Sequence, residues 1–227
     1  MKKINKVIDT QWNKIYKQKK LSYVSNLSTW SDVVLFLQKR STRTILDVGC
    51  GNGQHLLDLA KKGFTVSGID NSNEAITIAK DLFKKDKVKA NLLVADMHKK
   101  IPFKDNSFDV VYSLRTLNHG NSKDIENTFS EIKRVLKKNG ILFFTVQKIL
   151  GFRDNLGKHN LNNLTVNFVK PRTYIKLESD EKGVKHFLFN KNILMRLLRG
   201  YKILKFWVDY GKQDWEKYYC VLAEKIN

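Results

Sequence analysis

Short apolar runs alternate with amphipathic stretches along most of the chain. Thr44-Ile45-Leu46-Asp47-Val48 is a nearly continuous apolar run that ends in glycines, the pattern of a strand buried on both faces. Leu56, Leu57, Leu59 and Ala60 then mark a short amphipathic helix stopped at Gly63. Phe64–Ile69 reads as a second strand, and Asn71 or Ser72 caps a helix carrying Ala75, Ile76, Ile78, Ala79 and Phe83. Asn91–Ala95 and Phe108–Ser113 follow as strands. A helix from Ser122 to Lys138 shows Ile125, Phe129, Ile132, Val135 and Leu136 at helical spacing, ended by Asn139-Gly140 before the strand Ile141–Val146. Strands alternating with helices across short turns predict an α/β doubly wound, Rossmann-like sheet of parallel strands.

The two ends of the chain depart from that rhythm. The first 43 residues read as a helical extension, with Trp12, Ile15 and Tyr16 on one face and a second apolar stretch from Asp32. Tyr201–Asp209 and Tyr218–Glu224 are β-rich with no helix between them, so they predict an antiparallel strand pair at one sheet edge, giving seven strands. Residues 147–185 are poorly periodic and too long for an ordinary connection, which predicts a lid or substrate insertion. The whole is expected to be a single domain: extension 1–43, core 44–146, insertion and helix 147–200, edge strands 201–227.

Composition narrows the class. No apolar run approaches the roughly 18 residues of a membrane helix, and the lysine-rich start lacks the apolar core of a secretory signal. Cys50 and Cys220 are the only cysteines, so a disulfide scaffold is excluded and a reducing, cytoplasmic setting is expected. The formal net charge of +20 points to acidic partners, RNA among them. Residues 1–45 and 148–227 carry +8 each, against +4 for the rest. Of the cations, 34 are Lys and only 8 are Arg, and Asn reaches 20. A phosphate-reading surface favours Arg, so the same charge is equally the mark of a compositional bias.

The chemistry concentrates at Leu46-Asp47-Val48-Gly49-Cys50-Gly51-Asn52-Gly53, a glycine loop between a strand and a helix. Glycine lets backbone turn sharply and approach a ligand closely. The second strand ends in Gly68-Ile69-Asp70, where an acid can accept hydrogen bonds from both ribose hydroxyls. A nicotinamide-dinucleotide fingerprint, G-x-G-x-x-G, would place its third glycine at position 54, where this chain has Gln54, and Asp47 would repel a pyrophosphate while suiting an ammonium. The physical reading is an adenosine that carries an amino acid.

Asp47–Gly53, Gly68-Ile69-Asp70, Ala95-Asp96-Met97, Ile101–Asp109 and Glu131–Gly140 together resemble the successive motifs of class I S-adenosylmethionine-dependent methyltransferases, over about residues 44–146. The overall pattern resembles the small type 11 and tellurite-resistance-like groups, which usually carry Arg at the position of Gln54, and less closely the wobble-uridine carboxymethyl methyltransferases of tRNA. The resemblance implies S-adenosyl-L-methionine as cofactor. It implies that Asp47, Gly49, Cys50, Gly51 and Gly53 hold the amino-acid end, Asp70 the ribose, Asp96 the adenine amino group with Met97 and Asn71 beside the ring, and Ser113 and Leu114 the methionine side. Met97 is also consistent with core packing, and Cys50 with a small loop residue rather than a nucleophile.

Methyl transfer from a sulfonium asks mainly for positioning and an occasional proton removal. The candidate catalytic residues follow strand four and precede the last helix. His119 is a candidate general base or orienting group, and alternatively a structural histidine. Arg115 suits an acidic acceptor or an ion pair with a neighbouring carboxylate. His186 is placed to reach the site from another wall, with core packing as the alternative. Tyr23, Trp30 and Tyr174 are candidates for stacking or for packing. His55, His98 and His159 share no ligand spacing with carboxylates, so no metal is expected. The fourth strand lacks an Asn-Pro-Pro-Tyr-like end, and no second cysteine is placed to attack a pyrimidine. A small-molecule acceptor is therefore the expectation, with tRNA or rRNA methylation along the basic flanks, and an inactive cofactor-binding module, as alternatives.

Overall fold

The buried run at Thr44–Val48 forms the axis of the molecule. A computed structural model describes residues 11–19, 30–148, 157–161, 164–210 and 217–226. Strand β1 (Thr44–Val48) lies between β2 (Thr65–Asp70) and β4 (Phe108–Leu114), parallel to both. With β3 (Asn91–Val94), β5 (Leu136–Gln147), β10 (Tyr201–Tyr210) and β11 (Lys217–Lys225), the seven-stranded order is β10-β11-β5-β4-β1-β2-β3. Strand β11 runs antiparallel to β5 and to β10, the edge arrangement expected from the β-rich tail. Strand order reverses between β1 and β4, which opens a crevice at the carboxyl ends of these strands.

Period-two alternation sorts the central side chains onto two cores. Ile45, Val110, Tyr112, Ile141 and Phe143 face one side, under α2 (Trp30–Gln38), α3 (Gln54–Lys61) and α4 (Asn73–Lys85). Leu46, Val48, Val111, Leu142 and Phe144 face the other, under α5 (Ser122–Val135) and α6 (Lys191–Leu197). Both faces are covered, which is why these strands read as unbroken apolar runs rather than as alternating ones.

Helix ends follow local chemistry, with one correction. Asn121 and Asp124 form a reciprocal capping box that starts α5 one residue later, at Ser122, as expected. The helix stops at Val135, three residues short of the expected Lys138. Leu136 is extended and fully buried, and pairs with Phe108, so the sheet captures it before the Asn139-Gly140 turn. That turn lies inside β5, where Asn139 takes φ +60°.

The expected lid segment is a second sheet. Strands β6 (Gly157–Leu161), β7 (Leu164–Lys170), β8 (Thr173–Lys176) and β9 (Lys185–Phe187) are antiparallel in that order. It is sewn to the loop after β4 by Phe187 N–H to the Asn118 carbonyl (2.7 Å) and Gly120 N–H to the Lys185 carbonyl (2.9 Å). Of the helical extension, α1 (Gln11–Lys19) and α2 are described. Asn13 Oδ1 accepts from Ser72 Oγ (2.8 Å) and from the Glu74 amide (3.3 Å), which docks α1 on the start of α4. Gln11 Nε2 reaches the Asp180 carbonyl at 3.4 Å, so α1 also touches the loop between β8 and β9. Tyr23 and the side chain of His159 lie outside the described residues.

Arg134 ties the loop before β4 to α5. It bonds both Glu131 oxygens (2.9 and 2.6 Å), Asp105 (2.7 Å) and the carbonyls of Ile101 and Phe103 (2.8 Å each). Charge-assisted bonds of this kind are worth more than exposed ion pairs. In urea denaturation, Arg134→Ala is expected to lower the unfolding free energy by about 2–3 kcal/mol. Arg40→Ala, whose 3.4 Å pair with Glu224 is only partly buried, is expected to cost less than about 1 kcal/mol.

Candidate functional site

The glycine loop after β1 is held open by Asp70. Its Oδ2 accepts from Gly51 N–H and its Oδ1 from Ser72 N–H, each at 2.9 Å. Gly49 and Cys50 donate to the Ile69 carbonyl at 2.8 and 2.9 Å. Gly49 has φ +81°, and a Cβ there would strike the side chain of Thr116. Gly51 has φ +51°, and a Cβ there would strike the Tyr16 hydroxyl of α1. Glycine is therefore required twice, by backbone sign and by close approach.

A cavity of about 310 Å³ extends from this loop to the second sheet. Of the residues expected around a nucleotide, Asp47, Gly49, Cys50, Gly51, Asp70, Asn71, Met97 and Leu114 line it. Three do not. Gly53 opens α3 against Ala79 and Phe83, and Ser113 Oγ is buried, donating to the Val48 carbonyl at 2.6 Å. Asp96 turns its carboxylate to the His98 amide (2.9 Å) and to Lys99 (3.6 Å), leaving Ala95, Met97 and His98 to form that stretch of wall. Met97 packs on the second core while facing the cavity, so both of its sequence readings hold.

The loop end of the cavity is an uncompensated acidic environment. Burial pushes the Asp47 carboxyl up to about 8, and the charge of Asp70 adds to this. Burial also raises Asp70, against the hydrogen bonds from the Ser72 and Gly51 amides. No ion pair to either carboxylate occurs among the described residues, so a bound ammonium would supply the missing counter-charge. The Cys50 thiol is pushed well above its ordinary range by burial and by the two carboxylates, which keeps it protonated and unreactive.

The far end collects the three expected catalytic residues. Arg115 takes φ +57°, donates its amide to Thr145 Oγ1 at 2.9 Å, and lays its guanidinium on the Tyr218 ring at 4.4 Å. It forms no ion pair among the described residues, and its buried Nε has no hydrogen-bond partner. His119 meets Trp12 and His186 edge-on, each with ring centroids 4.9 Å apart, and its buried Nδ1 has no partner. Burial, followed by the proximity of His186, pushes His119 down to about 3, so its ring is neutral near pH 7. His186 is buried beneath Tyr174, which stacks on it at 5.1 Å. Trp30 instead packs against His55, Tyr112 and Phe143 in the core.

Two residues at this end escaped the sequence reading. Glu181 accepts from Lys176 and lies 3.0 Å from His186 Nε2 through the same oxygen. Burial alone would raise its carboxyl, but the bond with His186 and the charge of Lys176 hold it well below the usual range. No local spacing signals this group, because β8, the loop after it, β9 and the loop after β4 contribute one member each. Trp12 and Tyr16 were legible as one apolar helix face but not as the roof of a cavity.

Comparison with known proteins bears on the cofactor. A family model described as a methyltransferase domain matches residues 46–144. That stretch, which contains the glycine loop, β2 and β4, is similar to a methyltransferase domain. The ubiquinone biosynthesis O-methyltransferase of Pelagibacter ubique is 38% identical over 108 residues, covering 47% of this chain and 43% of that protein. The chain spans less than half the length of the first curated relatives it matches. A Methanosarcina mazei S-adenosylmethionine-dependent methyltransferase structure superposes with a TM-score of 0.64 at 23% identity, covering 82% of this chain and 94% of that one. A Burkholderia thailandensis 1,6-didemethyltoxoflavin N1-methyltransferase, with its substrate and S-adenosylhomocysteine bound, superposes with a TM-score of 0.63 at 15% identity, covering 87% and 76%. A buried acid without an ion-pair partner among the described residues, as at Asp47, fits a ligand that carries an ammonium group. Among the described residues, no helix is long and apolar enough to cross a membrane.

Asp47 makes the stability of the cofactor-free protein depend on pH. Its carboxyl releases a proton near 3.8 when unfolded and near 8 when folded, so within that window the folded chain holds the extra proton. The contribution is fully present below the lower value and is lost as pH rises through the upper one. Urea midpoints are expected to fall between about pH 5 and about pH 9, and Asp47→Asn to flatten that fall.

Proposed function

We propose that this chain transfers the methyl group of S-adenosylmethionine to a small molecule held against Arg115, His119 and His186, in the cytoplasm. The observation that carries this reading is enclosure of the acceptor end: Trp12 of α1 packs on His119 from one side, and β8 and β9 close the other. Such a covered wall suits a small acceptor better than a base in a polymer. The thiols of Cys50 and Cys220, both free and buried, support the cytoplasmic setting.

The bound cofactor supplies an electrophilic methyl carbon on a sulfonium. Asp47 accepts the ammonium group and becomes ionised as it does so. Gly49, Cys50 and Gly51 shape the backbone around the amino-acid end, with Leu114 on the methionine side, and Asp70 retains lone pairs for the ribose hydroxyls. Met97 and Asn71 flank the adenine; Asp96 serves by fixing the loop that carries Met97. At the acceptor end, neutral His119 is a weak base, so its role is to orient the acceptor. Arg115, strained into the left-handed region and with its buried Nε unpartnered among the described residues, favours an acceptor with an anionic group. Gln54, which lines the cavity, stands where the resembled groups usually place Arg.

The net charge of +20 supports a second reading, an RNA acceptor tracked by the basic flanks. Incubation with methyl-labelled cofactor and a cell extract separates the readings. Label in the low-mass fraction is expected. Label in a ribonuclease-sensitive, tRNA-sized fraction would establish the second reading instead, and cofactor binding without any label would make the chain a binding module. His119→Ala is expected to lower turnover about ten- to a hundredfold while cofactor affinity by calorimetry stays within about twofold.

A further inference from the structure

The end of the cavity away from the glycine loop contains an unresolved pairing of donors and acceptors. His186 Nδ1 lies 2.9 Å from the Val184 carbonyl, which can only accept, so Nδ1 carries a hydrogen. In the neutral ring, Nε2 then presents a lone pair, and it faces Glu181 Oε2 at 3.0 Å. Either a proton on Nε2, making His186 an imidazolium paired with Glu181, or a cation in the proton's place must therefore stand between them. Lys176 bonds the Glu181 carboxylate, but among the described residues it bonds neither imidazole. His119 Nδ1, beside them and buried, has no partner at all.

We infer that His119, His186 and Glu181 form a site for a divalent first-row transition metal ion on the acceptor wall. One ligand atom from each lies within 4.8 Å of the others. Ligands bound at about 2.0–2.2 Å from an ion stand about 3 Å apart, and the Nε2–Oε2 pair already has that separation. Two imidazoles and one carboxylate select zinc, iron or cobalt over magnesium or calcium. The hydrogen bond from His186 Nδ1 to a backbone carbonyl is the outer contact that fixes a ligating ring, and stacking on Tyr174 holds its plane. All three residues line the cavity, so the remaining coordination positions open toward the acceptor. The ligand such an ion takes there is an oxygen anion, a phenolate, enolate or carboxylate. That use rests on the methyl-transfer reading; binding of the ion does not.

Lys176 sets a sharp condition. Its ammonium competes for the Glu181 carboxylate and repels a dication, so its removal must strengthen the site. The test is calorimetric titration of the metal-stripped full chain with zinc chloride alone, with cobalt(II) visible absorption as a second readout and no cofactor present. One ion per chain is expected, with d–d bands of a nitrogen- and oxygen-bound cobalt. Glu181→Gln and His186→Ala are expected to weaken binding at least tenfold, and Lys176→Met to tighten it at least tenfold. Circular dichroism identifies any variant that fails to fold, in which case the wild type and Lys176→Met decide. Absence of binding in both, or affinity indifferent to Lys176, would overturn the site and leave a proton shared by His186 and Glu181. Methyl transfer by a chain that binds no metal would overturn this inference alone, while metal binding without methyl transfer would leave it standing.

Discussion

The two oxygens of Asp70 set the geometry on which the site depends. One fixes Gly51 and with it the loop after β1; the other fixes Ser72 and with it the start of α4. Ser72 in turn holds Asn13, which places α1 so that Tyr16 covers Gly51 and Trp12 covers His119. A single carboxylate at the end of β2 thus organises the nucleotide loop directly and the acceptor roof through one helix. Its burial raises its proton affinity, and the two amide bonds oppose that rise, so the clamp itself stabilises the ionised form it requires.

Charge is distributed along the cavity in a way that suits a zwitterionic ligand and an acceptor at opposite ends. Asp47 and Asp70 stand without cations beside the glycine loop, while Arg115 and Lys176 stand toward the second sheet. A buried carboxylate held near neutrality by desolvation is costly until a cation arrives, and this favours a ligand that brings its own ammonium. That end of the cavity lies within the residues that match a methyltransferase domain. The other end takes Arg115 and His119 from the matched residues 46–144 and adds groups from outside them: Trp12 of α1, Tyr218 of β11, and Lys176, Glu181 and His186 of the inserted sheet and its loop.

That insertion is where this chain builds its own chemistry. Strand β9 brings His186 into bridge pairing with His119, and the loop after β8 brings Glu181 back onto both. The rings of Trp12, His119, His186 and Tyr174 pack one against the next, twice edge-on and then stacked, along this wall of the cavity. Polar groups buried along such a wall interact strongly because the surrounding dielectric is low.

How much of this was legible in the sequence follows from the range of the forces involved. The glycine loop, Asp47, Asp70 and the alternation of strands with helices are local patterns: backbone sign, strand burial and capping act over a few residues, so they can be read without a fold. The antiparallel edge pair followed from two adjacent β-rich runs for the same reason. The end of α5 was misplaced because Leu136 fits a helix by periodicity, and only its pairing with Phe108 draws it into the sheet. The 147–185 segment looked aperiodic, yet strands β6 to β9 pair into a four-stranded sheet whose buried face, among the described residues, is only the small cluster Val166, Phe168, Tyr174 and Leu188, too few positions to show as a pattern along the chain. His119 and His186 could be named from sequence, but Lys176 and Glu181 could not. Glu181 meets Lys176 and His186 across five residues each, but only a strand bridge between distant segments brings His119 to them, and no spacing along a chain records what a sheet brings together.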